Sequence, residues 1–146
     1  MIFIVVSTGH FDPLIEECNR LSGKFEFFGQ IGSSTVSPVF PFIRTATPQE
    51  IISKMKEAEI VISHAGTGML SMLYELKKPA VVIPKQRRYG EANDGQVELA
   101  KKWQELGIAK LCLDVSELET KILEVRSTHP TFPEFAPLGA TIRQTL

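Results

Sequence analysis

Three short stretches carry residues suited to binding a phosphorylated ligand, and each follows a run of apolar residues. Ser7-Thr8-Gly9-His10 follows the first, and Ser63-His64-Ala65-Gly66-Thr67-Gly68 follows a later one. The third, Pro84 to Asp94, holds Lys85, Arg87 and Arg88 within four residues. In the middle stretch, two glycines and small neighbours let the backbone approach a ligand closely. A helix starting there turns free N–H groups and the positive end of its dipole toward an anion. Ser63 and Thr67 add hydroxyls, and Thr67 or Gly68 suits the helix cap. A diphosphate is the natural occupant. A tight strand-to-helix turn capped by threonine explains the same residues, so both readings stand on local chemistry.

The cations of the third stretch match phosphate oxygens, with arginine able to bind in bidentate fashion. A solvated surface loop has the same composition. Asn93, Asp94 and Gln96 either touch sugar hydroxyls or cap the helix that follows. His10 and His64 are the histidines of these loops. A lone loop histidine is more often a hydrogen-bonding residue than a general base, and His10 is the one candidate for a catalytic part. No Ser-His-Asp or Cys-His arrangement can be assigned. No His, Cys and carboxylate cluster has metal-ligand spacing, so no metal is implied. GxGxxG and GxxxxGK[ST] are absent, which argues against a dinucleotide dehydrogenase and a P-loop nucleotidase.

For these stretches to act together, a scaffold must bring them to one edge. Ile2 to Val6 is a continuous apolar run, the signature of a strand buried on both faces. Asp12 suits an N-cap and Pro13 the first helical position, with Leu14, Cys18 and Leu21 at helical spacing. Lys24 to Phe28 and Val39 to Ile43 read as strands, with a loop from Gly29 to Pro38. Thr47-Pro48 opens a helix with Ile51, Ile52 and Met55 on its apolar face. Ile60 to Ile62 is a strand, and a helix from Thr67 to Lys77 stripes Met69, Met72, Leu73 and Leu76. Strands are predicted at Pro79 to Ile83 and Ile108 to Leu113. Between them lies a helix from Asn93 to Leu106 that Gly107 ends. Ser116 and Glu119 form a capping box for a last helix to Arg126. This alternation predicts a Rossmann-like α/β domain over residues 1–126, with about six parallel strands and helices on both faces. A tail over 127–146 is expected to pack on the domain or on a partner. In such a sheet, ligands bind beyond the carboxyl ends of the strands, where all three stretches fall.

The chain of 146 residues fits one domain. A formal net charge of -1 gives no electrostatic reason to expect nucleic acid. Cys18 and Cys112 stand far apart and read as buried thiols of a reducing cytoplasm. The apolar start lacks a basic n-region, and no segment approaches the roughly eighteen apolar residues of a membrane helix. A soluble chain is expected, with any membrane attachment supplied by a partner.

Ala58 to Gly68, then Lys78-Pro79-Ala80-Val81-Val82-Ile83-Pro84, then Asn93-Asp94-Gly95-Gln96, resembles the C-terminal domain of family 28 glycosyltransferases. The resemblance runs from Met1 to about Arg126. Within the family, Arg87-Arg88-Tyr89-Gly90-Glu91 is similar to the small subunit of two-component glucosyl- or glucuronosyltransferases of exopolysaccharide synthesis. These in turn resemble the dolichol-linked chitobiose synthase. The resemblance implies one half of a metal-independent GT-B enzyme that uses a UDP-sugar and no cofactor. It implies donor contacts at Thr8, Gly9, Ser63, His64, Ala65, Gly66, Thr67, Gly68, Lys85, Arg87, Arg88, Asn93, Asp94 and Gln96. It also implies a membrane-anchored partner subunit that holds a polyprenyl-linked acceptor at the cytoplasmic face. Two positions depart from the pattern. Met72 stands where an acidic residue commonly reaches the ribose, and Gly95 where a histidine lies near the donor sugar. They motivate the alternative of a non-catalytic, nucleotide-sugar-binding or regulatory subunit.

Overall fold

An apolar strand without alternation must be covered on both faces, and Ile2–Val5 (β1) is. The computed structural model describes residues 1–86, 89 and 95–128. After β1 come α1 (Asp12–Leu21), β2 (Phe27–Gln30), β3 (Phe42–Ile43), α2 (Pro48–Glu57) and β4 (Ile60–Ser63). Then follow α3 (Thr67–Leu76), β5 (Ala80–Val82), α4 (Gly95–Glu105), β6 (Lys110–Leu111) and α5 (Leu118–Ser127). The strands form one sheet in the order β3-β2-β1-β4-β5-β6, and every pair is parallel. This is the doubly wound order, whose direction of winding reverses at β1 and β4. The Rossmann-like expectation holds.

The pleat sends Ile2 and Ile4 to one face of the sheet and Phe3 and Val5 to the other. On the first face they meet Leu14, Ile15, Cys18 and Leu21 of α1 and Leu118, Ile122 and Val125 of α5. On the second they meet Met55 of α2, Met69, Leu70 and Leu73 of α3 and Ala100 of α4. Among the described residues, no helix is long and apolar enough to cross a membrane. The tail expected over 127–146 falls, from residue 129 onward, outside the described residues.

Several element ends form as expected. Thr47 caps α2 in a full capping box with Glu50, both hydrogen bonds spanning 3.2 Å. Gly107 has a left-handed φ of 76°. Its N–H and that of Ile108 donate to the carbonyls of Gln104 and Trp103, which closes α4 in a Schellman motif.

Other ends differ. Strand β2 starts at Phe27 and runs into the expected loop as far as Gln30, because its partner β1 holds that register. Strands β3, β5 and β6 are shorter than their apolar runs. The cap of α1 is Phe11 rather than Asp12. The Asp12 carboxylate accepts from the N–H groups of Thr35 and Val36 at 2.7 and 3.0 Å, and from the Thr35 hydroxyl at 2.8 Å. Burial would raise its pKa, but these hydrogen bonds outweigh it and hold the carboxyl below the ordinary value. Ser116 does not cap α5 either. Asp114 accepts from both its N–H and its hydroxyl, turning 115–117 into a 3-10 turn, while Glu119 pairs with Lys24 at 2.7 Å.

Cys18 and Cys112 are free thiols with no exposed surface. Burial pushes the Cys18 thiol far above its ordinary pKa and that of Cys112 up to about 12. A thiol-titrating disulfide reagent at neutral pH should therefore find neither group in the native protein and both in denaturant. One equivalent reacting promptly under native conditions would contradict this packing.

Candidate functional site

The carboxyl ends of β1 and β4 lie side by side, with Val5 opposite Ser63. Three loops converge there: Val6–Phe11 after β1, His64–Gly66 after β4, and the segment from Ile83 after β5. Gln96, near the start of α4, fastens two of them. Its carboxamide oxygen accepts from the N–H of Ala65 at 3.2 Å and from that of Lys85 at 3.0 Å. This oxygen is engaged within the protein, so Gln96 sets the spacing of two loops.

The glycine-containing turn sorts into framing and open parts. Ser63 has no exposed surface, and its hydroxyl donates to the His64 carbonyl at 3.1 Å. Ala65 is equally enclosed. The Ser63 hydroxyl thus shapes the turn and does not face the crevice, which corrects its expected place among the donors of the loop. Gly66 is the N-cap of α3, with no side-chain cap hydrogen bond, and Thr67 is the first helical residue. Neither Thr67 nor Gly68 is therefore the cap. A Cβ on Gly66 would lie 2.5 Å from Cε1 of His64, whose ring leans over it. A Cβ on Gly68 would meet nothing within 4 Å. Thr67 and Gly68 are exposed, and the first turn of α3 holds no acidic residue. Met72 packs against the core from the next turn.

Lys85 brings the third loop to the first. Its Nζ lies 2.8 Å from where a Cβ on Gly9 would stand. Because β5 neighbours β4 and β4 neighbours β1, this ammonium crosses the crevice at the winding reversal. Thr8 and His10 are exposed beside it, and Gly9 is half-buried. Arg87, Arg88, Asn93 and Asp94 lie outside the described residues. Among the described residues, no group of three His, Cys, Asp or Glu side chains is placed to hold a metal ion.

Behind the first loop stands a layer that the chain's spacing did not single out. Ser7 has a left-handed φ of 70°, a conformation that costs an L-residue on the order of 1–2 kcal/mol. The buried carboxamide of Gln30 holds it, accepting from the Ser7 N–H at 2.7 Å and donating to the Ser7 carbonyl at 2.8 Å. Ser34, also buried, accepts from the Phe11 N–H at 3.0 Å, and the Ser33 N–H donates to the Gly9 carbonyl at 3.0 Å. The Arg44 guanidinium donates to the carbonyls of Gly32 and Ser34. A cavity of about 450 Å³ opens beside this layer, lined by Thr8, Ser33, Arg44, Thr45, Ala46 and Ile51 among others. The one sequence signal for the layer is a polar Gln30 inside the apolar run Phe27 to Ile31.

Gly32 lets the two segments touch. Its φ is +58°, and a Cβ there would approach the Gly9 carbonyl oxygen to 2.2 Å and that of Ser7 to 2.8 Å. Gly32→Ala should lose more than about 1 kcal/mol in urea unfolding, whereas Gly23→Ala, at an exposed site with nothing within 4 Å, should change little. Equal stabilities would show that the contact is not tight.

Comparison with known proteins bears on this arrangement. Residues 4–136 match the glycosyltransferase family 28 C-terminal domain. The chain is 31% identical over 107 residues to the UDP-N-acetylglucosamine transferase subunit ALG13 of Debaryomyces hansenii, covering 70% of this chain and 47% of that protein. It is 31% identical over 126 residues to the Homo sapiens subunit of the same name, covering 76% of this chain and 11% of that protein. The chain thus spans less than half the length of either relative. Among solved structures, the glycotransferase of kitacinnamycin superposes with a TM-score of 0.65 at 23% identity, over 87% of this chain and 35% of that one. SnogD from Streptomyces nogalater, a glycosyltransferase, gives 0.50 at 20% identity, over 96% and 43%. These two likenesses concern the fold. The extent of the family match and the identity to the two subunits place this chain in the glycosyltransferase family 28 C-terminal domain family.

Proposed function

We propose that the chain is the donor-binding half of a metal-independent GT-B hexosyltransferase that acts with a separate subunit. The observation that carries this reading is that the N-terminus of α3 and Lys85 share the winding reversal, where the Gln96 oxygen accepts from the N–H groups of both Ala65 and Lys85. The first N–H groups of a helix have no partner within it, and among the described residues no side chain at the N-cap bonds to them and the first turn of α3 holds no acid. The Lys85 ammonium stands against Gly9 in the same crevice. A helix N-terminus and a cation converging on a glycine-lined gap suit a diphosphate. The neighbouring cavity has room for a ring attached to it.

On this reading Thr8, Gly9, Gly66, Thr67, Gly68 and Lys85 hold the diphosphate, and Arg87 and Arg88 add charge. Asn93 and Asp94 contact the sugar, beside Gln96. Donors already aimed at the diphosphate stabilise the charge that develops on the UDP leaving group. The base that activates the acceptor hydroxyl comes from the partner, with His10 the candidate on this chain. The partner is a membrane-anchored subunit that holds a polyprenyl-diphosphate-linked acceptor at the cytoplasmic face, in polysaccharide synthesis. The name of the two relatives favours UDP-N-acetylglucosamine as donor, and glucosyl or glucuronosyl transfer is the other option. Met72 and Gly95 favour a second reading, a nucleotide-sugar-binding subunit without turnover.

Calorimetry with UDP-N-acetylglucosamine, UDP-glucose and UDP-glucuronate separates these cases. One of the three should bind. Binding to none, with the partner present, ends the donor reading, and binding without transfer by the assembled pair selects the second.

Gly68→Val probes the cradle better than a change at Gly66, which would press on His64. It should leave the unfolding midpoint near that of the wild type and weaken donor binding at least about tenfold by filling the gap. Lys85→Ala should lower affinity about tenfold and flatten its salt dependence. Unchanged affinity in both variants would remove this crevice from the donor site.

A further inference from the structure

Gln30 ends β2 with only 2% of its surface exposed, and the crevice loops give its carboxamide three partners. The oxygen accepts from the Ser7 N–H at 2.7 Å. The nitrogen donates to the carbonyls of Ser7 at 2.8 Å and Arg44 at 2.7 Å. The Arg44 carbonyl also accepts from the Gly32 N–H at 2.9 Å, and the Gln30 carbonyl accepts from the Val6 N–H at 2.9 Å. One side chain thus joins the end of β2 to the segments that leave β1 and β3.

The chemistry of the contact selects the residue. Two carbonyl oxygens and one N–H must be met by two donors and one acceptor at the end of a three-bond stem. A primary carboxamide supplies that set. A carboxylate would face both carbonyls with oxygen, and an apolar side chain would take away the side-chain partner of the Ser7 N–H and of both carbonyls. The clamp acts where the backbone is least favourable, at the left-handed Ser7. Thr8 and Gly9 follow it directly, with Gly9 against Lys85.

We propose that Gln30 is a positioning residue for donor binding: it locks the left-handed turn at Ser7 and so sets Thr8 and Gly9 where the diphosphate is held. The inference rests on the donor-binding reading above. It assigns to a residue outside the three glycine- and cation-bearing loops the job of keeping the first of them in shape.

Gln30→Glu tests it, since the side-chain shape is kept and one nitrogen becomes oxygen. The introduced carboxyl group, when ionised, has no proton for either carbonyl, whereas its protonated form regains a single donor. The ratio of variant to wild-type affinity for UDP-N-acetylglucosamine should fall at least about tenfold near pH 8 and recover partly near about pH 5.5. Taking the ratio cancels the titration or charge of the neighbours His10, Asp12, Arg44 and Lys85, which both proteins share. A lowered melting temperature with a ratio near one at every pH would overturn the proposal, because Gln30 would then serve stability alone. A ratio that is low but independent of pH would overturn it as well. Should the wild type fail to bind, the donor reading itself falls, and this inference with it.

If Gln30→Glu does not fold, the wild-type protein still decides. In NMR spectra the Gln30 carboxamide protons should exchange slowly with solvent and shift when UDP-N-acetylglucosamine is added. Exchange as fast as that of the exposed Gln49, or no shift, would overturn the assignment.

Discussion

Strand β1 has neither a free edge nor a free face. It pairs with β2 on one side and β4 on the other, and its four residues alternate between the helix layer on one face and the layer on the other. Burying Ile2, Phe3, Ile4 and Val5 contributes roughly 1.5–3 kcal/mol for each side chain, so this strand fixes its surroundings more firmly than its length suggests. Everything at the crevice is registered to it. Val5 lies opposite both Gln30 and Ser63, which brings the residue that clamps Ser7 and the residue that starts the glycine-containing turn to the same height. A one-residue slip of either neighbour would exchange its faces between the two cores and withdraw its loop from the site.

That dependence explains which features are legible in the amino-acid sequence. Period and burial are read locally, so the strand and helix order, the Thr47-Pro48 start and the Gly107 stop can be found from short windows. Most of the misplaced details involve a partner outside such a window. Asp12 looks like a cap until Thr35 and Val36, more than twenty residues away, claim its carboxylate. The start of strand β2 is set by pairing with β1, and that pairing is invisible in a window of five residues. Ser116 is the local exception: it looks like a cap until the nearby Asp114 takes its N–H.

The candidate site divides in the same way. Its open components, Thr8, Gly9, Thr67, Gly68 and Lys85, are small or cationic residues in loops or at the start of α3, types that suit an anion as well as they suit a tight turn or a solvated loop. Its framing components are harder to find. Ser63 has the right chemistry in the wrong place, since its side chain turns inward to the His64 carbonyl. Gln96 reads as a possible contact with sugar, yet its carboxamide oxygen ties the second loop to the third. Gln30 and Gly32 both fall in what reads as a loop. One is needed for its hydrogen-bonding pattern and the other for a positive φ within 3 Å of two carbonyls. Backbone shape is the property these residues control, and residue type reports it poorly.

The glycines show why the distinction matters for chemistry. Gly66 and Gly68 look equivalent in the sequence, but a side chain at the first would strike His64 and one at the second would meet nothing. A glycine that internal packing demands serves the fold. One that internal packing does not demand, at the uncapped start of a helix, gives up helix stability on the order of 1 kcal/mol relative to alanine. On the proposed reading, that loss is the cost of leaving room for a diphosphate. The same openness limits what this surface achieves alone. Two unit charges 4 Å apart attract by only about 1 kcal/mol in bulk water and by about 4 kcal/mol at an effective dielectric of 20. Thr8, Thr67 and Gly68 are exposed, so the field of α3 and Lys85 acts here near its screened limit. A second surface closing over the crevice would strengthen every one of these interactions by excluding water, without adding a contact from this chain. If the crevice holds a donor, binding it and stabilising its leaving group are separable: the first needs the loops in place, and the second needs them dry.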